Sequence, residues 1–318
     1  MVTYKAVAYT MQALVKYHGL RDWKLRIPYH DSVSVNTTCM LTEATITDKM
    51  KGGVYIEGRQ NPSANSRLAE VVARLKPTAS VTDFRIDSIN VPSVKESARP
   101  KGIGYSSAAG AALTMLAHRL LVGGEPDMKA LSRTARLFAA SASRSLVGGF
   151  SRLYAGKDDE SSYAERFAGE KEMDLRMIIV PLASRVKTED AHREVLTSPF
   201  FQARLESAQK RCDEMEKAIL GNNLEALGIL AERDTMELHS LTMTGHSRMV
   251  IMTPDTLRIM EKVRRLRDDG VEAYFSMQTG PSVFINTSEK DEQQVLRGVR
   301  RLGYRAYLSG VGGEARVY

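Results

Sequence analysis

The chain has 318 residues, 43% of them hydrophobic, enough for one large or two ordinary domains with sizeable cores. Lysine and arginine number 45 against 38 aspartate and glutamate, an excess gathered in no tail and no aromatic-studded strand, which argues for small anionic partners and against nucleic acid. No apolar run approaches the roughly 20 residues that span a bilayer, and residues 1–17 lack the basic start, apolar centre and cleavage site of a signal peptide, so the expectation is a cytoplasmic protein with no membrane partner.

In chain order, alternation and β-branched residues predict strands over 3–9, 32–38, 43–47 and 53–57, with a helix over 65–75. Residues 106–121 predict a buried helix of small side chains, 127–143 a second helix, and 175–182 a strand. Helices over 199–220, 224–243 and 254–269 follow, punctuated by Gly221-Asn222-Asn223 and Gly245. The chain closes with strands over 273–277 and 283–287, a helix over 290–302 and a strand over 305–309. Strands first, then helices with late strands, is an α+β order. It suggests two lobes around a cleft, 1–182 and 183–318, divided where Pro181 interrupts a strand. Arg264, Arg265 and Arg267 share a helix with Glu261, Asp268 and Asp269 and read as a solvated face. Cys39 and Cys212 lack metal-ligand spacing and read as buried thiols; the methionines read as core filling.

The informative pair is Lys16, in VKYHGLRD and upstream of IPYHDSVSV, and Arg144, in SASRSLVGGF. Two cations offered to one small anion imply phosphate or carboxylate chemistry. Between them GIGYSSAAGAA, residues 102–112, is a small-residue turn leading into a helix, the arrangement that presents backbone N–H groups to an anion. Each has a plainer reading: Lys16 a strand-end surface lysine, Arg144 a structural partner of a carboxylate, and Ser106 and Ser107 helix caps. His18 and His30 read as packing residues, since no third partner is evident. Residues 97–101 read as a surface loop whose Arg99 and Lys101 are solvated, with a replacement phosphate clamp as the minor alternative.

These residues resemble the diphosphomevalonate decarboxylases of the galactokinase, homoserine kinase and mevalonate kinase superfamily. The similarity runs through Lys16-Tyr17-His18-Gly19-Leu20-Arg21-Asp22, Ile27-Pro28, the glycine and serine loop at 104–110, Ala135-Arg136 with 141–149, TSPFF at 197–201 and Gly280-Pro281-Ser282. The resemblance implies a two-lobed, GHMP-kinase-like α+β fold, with a ribosomal-protein-S5-like N-terminal lobe and a ferredoxin-like α/β sandwich C-terminal lobe, and a homodimer. It also implies site residues: Lys16 and Arg144 as the catalytic cations, with Tyr17, Arg67, Ser107 and Ser141 binding substrate and Arg67 at its anionic tail.

The chain departs from the family pattern where phosphorylation is concerned. The family aspartate two residues before the final Gly-Pro is Gln278, and an amide cannot accept a proton as a carboxylate does. The phosphate loop is one residue short, 91–99 read as an insertion ahead of it, a diphosphate-binding lysine is Leu20, the neighbouring tryptophan is His18, and one motif serine is Ala139. The resemblance and these departures together imply elimination of phosphate and carbon dioxide from mevalonate 3,5-bisphosphate, giving isopentenyl phosphate in an archaeal route to isoprenoids. On this reading the small phosphorylated substrate is the partner, and no cofactor is required. The alternatives are an ATP- and magnesium-dependent decarboxylase or 3-kinase, and a non-catalytic anion-binding regulator.

Overall fold

The computed structural model describes residues 2–48, 50–92 and 100–318. Most of the expected insertion at 91–99, including Arg99, lies outside the described residues. β1 (Thr3–Val15) leads through a small ribbon, β2 (Leu20–Asp22) and β3 (Ile27–Pro28), into β4 (Ser32–Thr47). Then come β5 (Gly53–Ile56), β6 (Arg59–Gln60), α1 (Pro62–Leu75), β7 (Arg85–Val91), α2 (Tyr105–Leu121), α3 (Met128–Phe138), α4 (Ala142–Val147), β8 (Phe150–Leu153) and β9 (Ala164–Ala168). Among the described residues the first sheet has eight strands, in the order β14-β1-β4-β7-β5-β6, with β8 and β9 branching from β4; β14 (Arg316–Val317) is the last strand of the chain.

The expected strands at 32–38 and 43–47 are one strand, β4, because the register against β1 is resumed across a bulge that sets Tyr9 opposite Leu41 and Met11 opposite Asn36. Ala6, Ala8 and Ala44 of the sheet meet Ala108, Ala111 and Ala112 of α2 in one core, small residues on both sides that let helix and sheet approach closely. Gly110 continues this packing toward α3 and α4: a Cβ there would stand 2.6 Å from Phe138 and 2.7 Å from the Ala142 Cβ.

The expected helix at 127–143 is two helices. Ala139 turns the chain into an extended conformation, and Ser141 opens α4. Helical period continues through the break, so local pattern could not reveal it. Strands β7, β8 and β9 were not anticipated either; their places are fixed by pairing with distant β4 and with each other.

The second lobe contains β10 (Arg176–Val180), α5 (Thr188–Glu194), α6 (Phe201–Leu220), α7 (Leu224–Thr244), α8 (Pro254–Asp268), β11 (Ala273–Met277), β12 (Val283–Thr287), α9 (Glu292–Arg300) and β13 (Tyr307–Ser309). Its antiparallel sheet has the order β11-β12-β10-β13. In chain terms that is second, third, first, fourth, with helices in both crossovers, a ferredoxin-like sandwich. β10 precedes the expected division at 182/183 and yet is an inner strand of this sheet, since Ile178 and Val180 pair with Ile285 and Val283. Pro181 follows directly on the end of β10.

One face of this sheet packs on α8 and α9 through residues such as Ile259, Val263, Val295 and Val299. Ala208, Cys212 and Met215 of α6 and Leu227 and Ala231 of α7 share a core with Leu14, Val33 and Val35 of the first sheet and Tyr274 of the second. The two helices therefore form a wedge joined to both sheets. Cys212 is buried as expected, whereas Cys39 is only half-buried. Arg265 is exposed beside Glu261, but Arg267 reaches Glu232 on α7, so the arginine face of α8 is not wholly solvated. Among the described residues no helix is long and apolar enough to cross a membrane.

Candidate active site

A cleft of about 1700 Å³ gathers every residue singled out for substrate: Lys16, Tyr17, Arg67, Ser107, Ser141 and Arg144 all line it. The end of β1 and the β2–β3 ribbon form one wall, the start of α2 and the α3–α4 break another, and α5 with the β11–β12 turn closes the far side.

Arg144 is 1% exposed. Its Nη1 donates to the Ser32 hydroxyl at 2.5 Å, its carbon lies 5.3 Å from the centre of the Tyr17 ring, and its buried Nε has no partner. Among the described residues no carboxylate pairs with it, which removes the plainer structural reading. Burial pushes the guanidinium down to about 10, still fully charged at neutral pH. Beside it the Ser107 hydroxyl donates to that of Ser141 at 2.6 Å. The geometry of Gly104 permits this: its φ is +91° and a Cβ would stand 3.0 Å from the Met11 carbonyl, so only glycine brings the head of α2 this close to β1.

Lys16 is equally buried, but its ammonium is already engaged. Nζ lies 3.3 Å from Asp234, 3.2 Å from the Thr235 hydroxyl and 3.4 Å from the Leu14 carbonyl. It is therefore neither a surface lysine nor an unpaired cation. Asp234 also receives Arg204 at 2.6 Å and Arg211 at 3.2 Å, and these cations hold its carboxyl well below the usual range despite burial. Burial brings the Lys16 ammonium down to about 8, with Asp234 opposing the shift.

Gln278 is fixed by three backbone groups. Its carbonyl oxygen accepts from Ala13 N–H at 3.3 Å, and its Nε2 donates to Met11 O at 3.0 Å and Gly102 O at 3.2 Å. A neutral amide thus bridges β1 and the glycine turn. His239 Nε2 lies 3.1 Å from the backbone carbonyl oxygen of Gln278. His18 lines the cleft after all, 2.8 Å from the Thr279 hydroxyl and tilted by 30° against His192 with ring centres 4.6 Å apart. Burial, then the neighbouring histidines, hold His18 well below its ordinary value, and burial takes His192 to about 4. Gly19 N–H donates to His192 Nδ1 at 3.1 Å, which leaves the proton of the neutral ring on Nε2. His30 is buried and does not line the cleft. Lys101 lines it beside the glycine turn.

Arg67 sits at the mouth, 3.0 Å from Glu189 on α5. Glu189, Asp190 and Glu57 are the carboxylates among the described lining residues. No cluster of three His, Cys, Asp or Glu side chains that would hold a metal is present among the described residues.

Sequence reasoning missed Ser32, Asp234 and His192. Asp234 carried a usable signal: it lies on the buried face of α7 with Leu227, Ala231, Leu238 and Leu241, and a carboxylate in an apolar stripe demands a cation. His192 belongs to α5, too short and polar to announce itself.

Family models match both lobes of the chain. The diphosphomevalonate decarboxylase-like N-terminal domain matches residues 8–164, and the mevalonate 5-diphosphate decarboxylase C-terminal domain matches 184–306. A phosphomevalonate decarboxylase of Haloferax volcanii is 36% identical over 98% of this chain and 96% of its own length. A mevalonate 3,5-bisphosphate decarboxylase of Thermoplasma acidophilum is 26% identical over 88% of this chain and 69% of its own. The solved mevalonate diphosphate decarboxylase of Enterococcus faecalis superposes with a TM-score of 0.88 at 26% identity, covering 100% of this chain and 99% of that one.

Proposed function

This chain belongs to the diphosphomevalonate decarboxylase family, with its two-lobed GHMP-kinase-type fold, and from that premise we propose that it converts mevalonate 3,5-bisphosphate to isopentenyl phosphate, phosphate and carbon dioxide without ATP. The observation that carries the anion chemistry is Arg144, a buried guanidinium with no carboxylate beside it among the described residues, facing the cleft next to the paired hydroxyls of Ser107 and Ser141. The tertiary C3–O bond breaks, its electrons leaving with the phosphate. The C1–C2 bonding electrons then form the C2–C3 double bond as carbon dioxide departs. Arg144 offers a planar fork to the substrate carboxylate and holds it for fragmentation. Ser107 and Ser141 add neutral hydrogen bonds, and Lys16 contributes charge to the departing phosphate through space. Preorganised groups of this kind contribute about 3 kcal/mol each to lowering a barrier.

Independence from ATP is supported by Gln278. Phosphorylating a tertiary alcohol needs a proton acceptor, and here that position is an amide locked on three backbone groups. The bisphosphate already carries its leaving group, so no cofactor is required.

A second reading, in which the chain first places the 3-phosphate from ATP on mevalonate 5-phosphate, is favoured by the 36% identity to the Haloferax phosphomevalonate decarboxylase and by a cleft that continues past the glycine turn to Val91 and Pro100. Both readings end in the same fragmentation. Two assays separate them: release of phosphate and carbon dioxide from mevalonate 3,5-bisphosphate with EDTA and no nucleotide, and formation of ADP from ATP and magnesium with mevalonate 5-phosphate. Turnover of the bisphosphate with no ADP formed in the second assay supports the first reading; ADP formed together with carbon dioxide from mevalonate 5-phosphate replaces it with the second.

A further inference from the structure

The mouth of the cleft holds an arrangement that the fragmentation chemistry does not use. Arg67, on α1 of the first lobe, donates from Nη2 to Oε1 of Glu189 at 3.0 Å, on the first turn of α5 in the second lobe. Nη2 of Arg26 lies 3.8 Å from the same oxygen, its guanidinium anchored by Nε to the Leu137 carbonyl at 2.9 Å. Arg26 is pushed down first by burial and next by Arg67, with Glu189 working against both. Two arginines close enough to repel, with one carboxylate oxygen between them, form an anion site occupied by the protein's own anion. Half of the Glu189 side chain is exposed, and exposed ion pairs are weak, so an incoming phosphate displaces it readily.

Resting on the proposed reading of a 5-phosphorylated substrate, we infer that Glu189 determines which anionic tail the cleft accepts, cancelling one of the two arginine charges and so favouring a monophosphate over a diphosphate. A phosphate monoester carries a charge of about −2 near neutral pH and meets a net charge of about +1 from Arg26, Arg67 and Glu189, a smaller excess of negative charge than a diphosphate would leave. A diphosphate brings further negative charge, and at this mouth that charge meets a carboxylate. Leu20, in the same wall, adds no cation to receive it. Lys187 and Asp190, adjoining Glu189 at the rim, are opposite charges that offset each other. One additional unit charge about 7 Å from the carboxylate, at an effective dielectric of about 50, changes affinity about fivefold.

Glu189 acts through the arginines and touches no reacting atom, so the informative readout is a ratio of affinities and not turnover. Mevalonate 5-phosphate and mevalonate 5-diphosphate are titrated calorimetrically into the full chain and into Glu189→Gln, Glu189→Asp and Arg67→Gln. The expected result is a shift of the dissociation-constant ratio by about fivefold toward the diphosphate in Glu189→Gln, restoration of the wild-type ratio in Glu189→Asp, and weaker binding of both ligands in Arg67→Gln. A merely structural role for Glu189 would weaken both ligands alike and leave the ratio unchanged, and that outcome overturns the inference alone. Binding of neither ligand to the wild-type chain overturns the proposed function with it.

Discussion

A guanidinium taken out of water with no carboxylate beside it costs a fold several kcal/mol, and Arg144, which has none among the described residues, is retained under that cost. Arg144→Met, which keeps volume and removes the charge, should therefore hold or raise the thermal midpoint while lowering kcat/KM at least about a hundredfold; wild-type activity in that variant would remove Arg144 from the chemistry. Lys16 supports a prediction about pH. With its ammonium near 8, the cation is present below that value and lost above it, so the alkaline limb of kcat should fall near pH 8. Asp234 is the group that raises the Lys16 value against burial, so Asp234→Asn should move that limb to lower pH; a limb that stays in place separates Lys16 from the rate. Lys16 and Arg144 were legible because each lies in a dense local motif. Their settings were not: Asp234 reaches Lys16 across 218 positions, and Ser32 reaches Arg144 across 112. The motif named the cations without saying which one already had a counter-ion.

At the scale of elements the decisive feature is the break between α3 and α4, read from sequence as continuous helix. It sets Ser141 opposite Ser107 and presents Arg144 one turn later. What holds α4 there is distant in sequence. The Asn36 side-chain amide donates to Ser145 O and to Gly313 O, each at 3.1 Å, Ala315 N–H donates to Leu146 O at 3.0 Å, and Gly149 N–H donates to Gly312 O at 2.9 Å. The last residues of the chain thus strap down the helix that carries the site. Neither Asn36 nor the strap was visible in the pattern of β4, where one polar residue among many carries no such message. Asn36→Ala leaves the buried Ser145 carbonyl and the half-buried Gly313 carbonyl without their donor and should cost about 2–3 kcal/mol, with kcat falling about tenfold because Arg144 loses its fixed position. Denaturant melts and steady-state rates check this together. Full activity in a destabilised Asn36→Ala protein would show that α4 keeps its place without the strap.

Over the whole molecule, the two lobes named by the α+β order are less separate than that order suggests. The wedge of α6 and α7 shares one apolar core with both sheets, and β14 returns from the second lobe to pair with β1. A core common to both lobes cannot be exposed in one without stripping the other, so heating should give a single cooperative transition. Leu227→Ala, in the middle of the wedge, should lower that transition by an amount corresponding to about 2–5 kcal/mol without splitting it. The cleft lies between elements of both lobes, so a ligand held at Arg144 and at the α5 side should stabilise the molecule as one unit, by about 2.7 kcal/mol at a hundred times its dissociation constant. Calorimetry with and without mevalonate 5-phosphate tests both statements. Two resolved transitions, only one of which moves with ligand, would mean that the lobes unfold independently and that the wedge belongs to one of them.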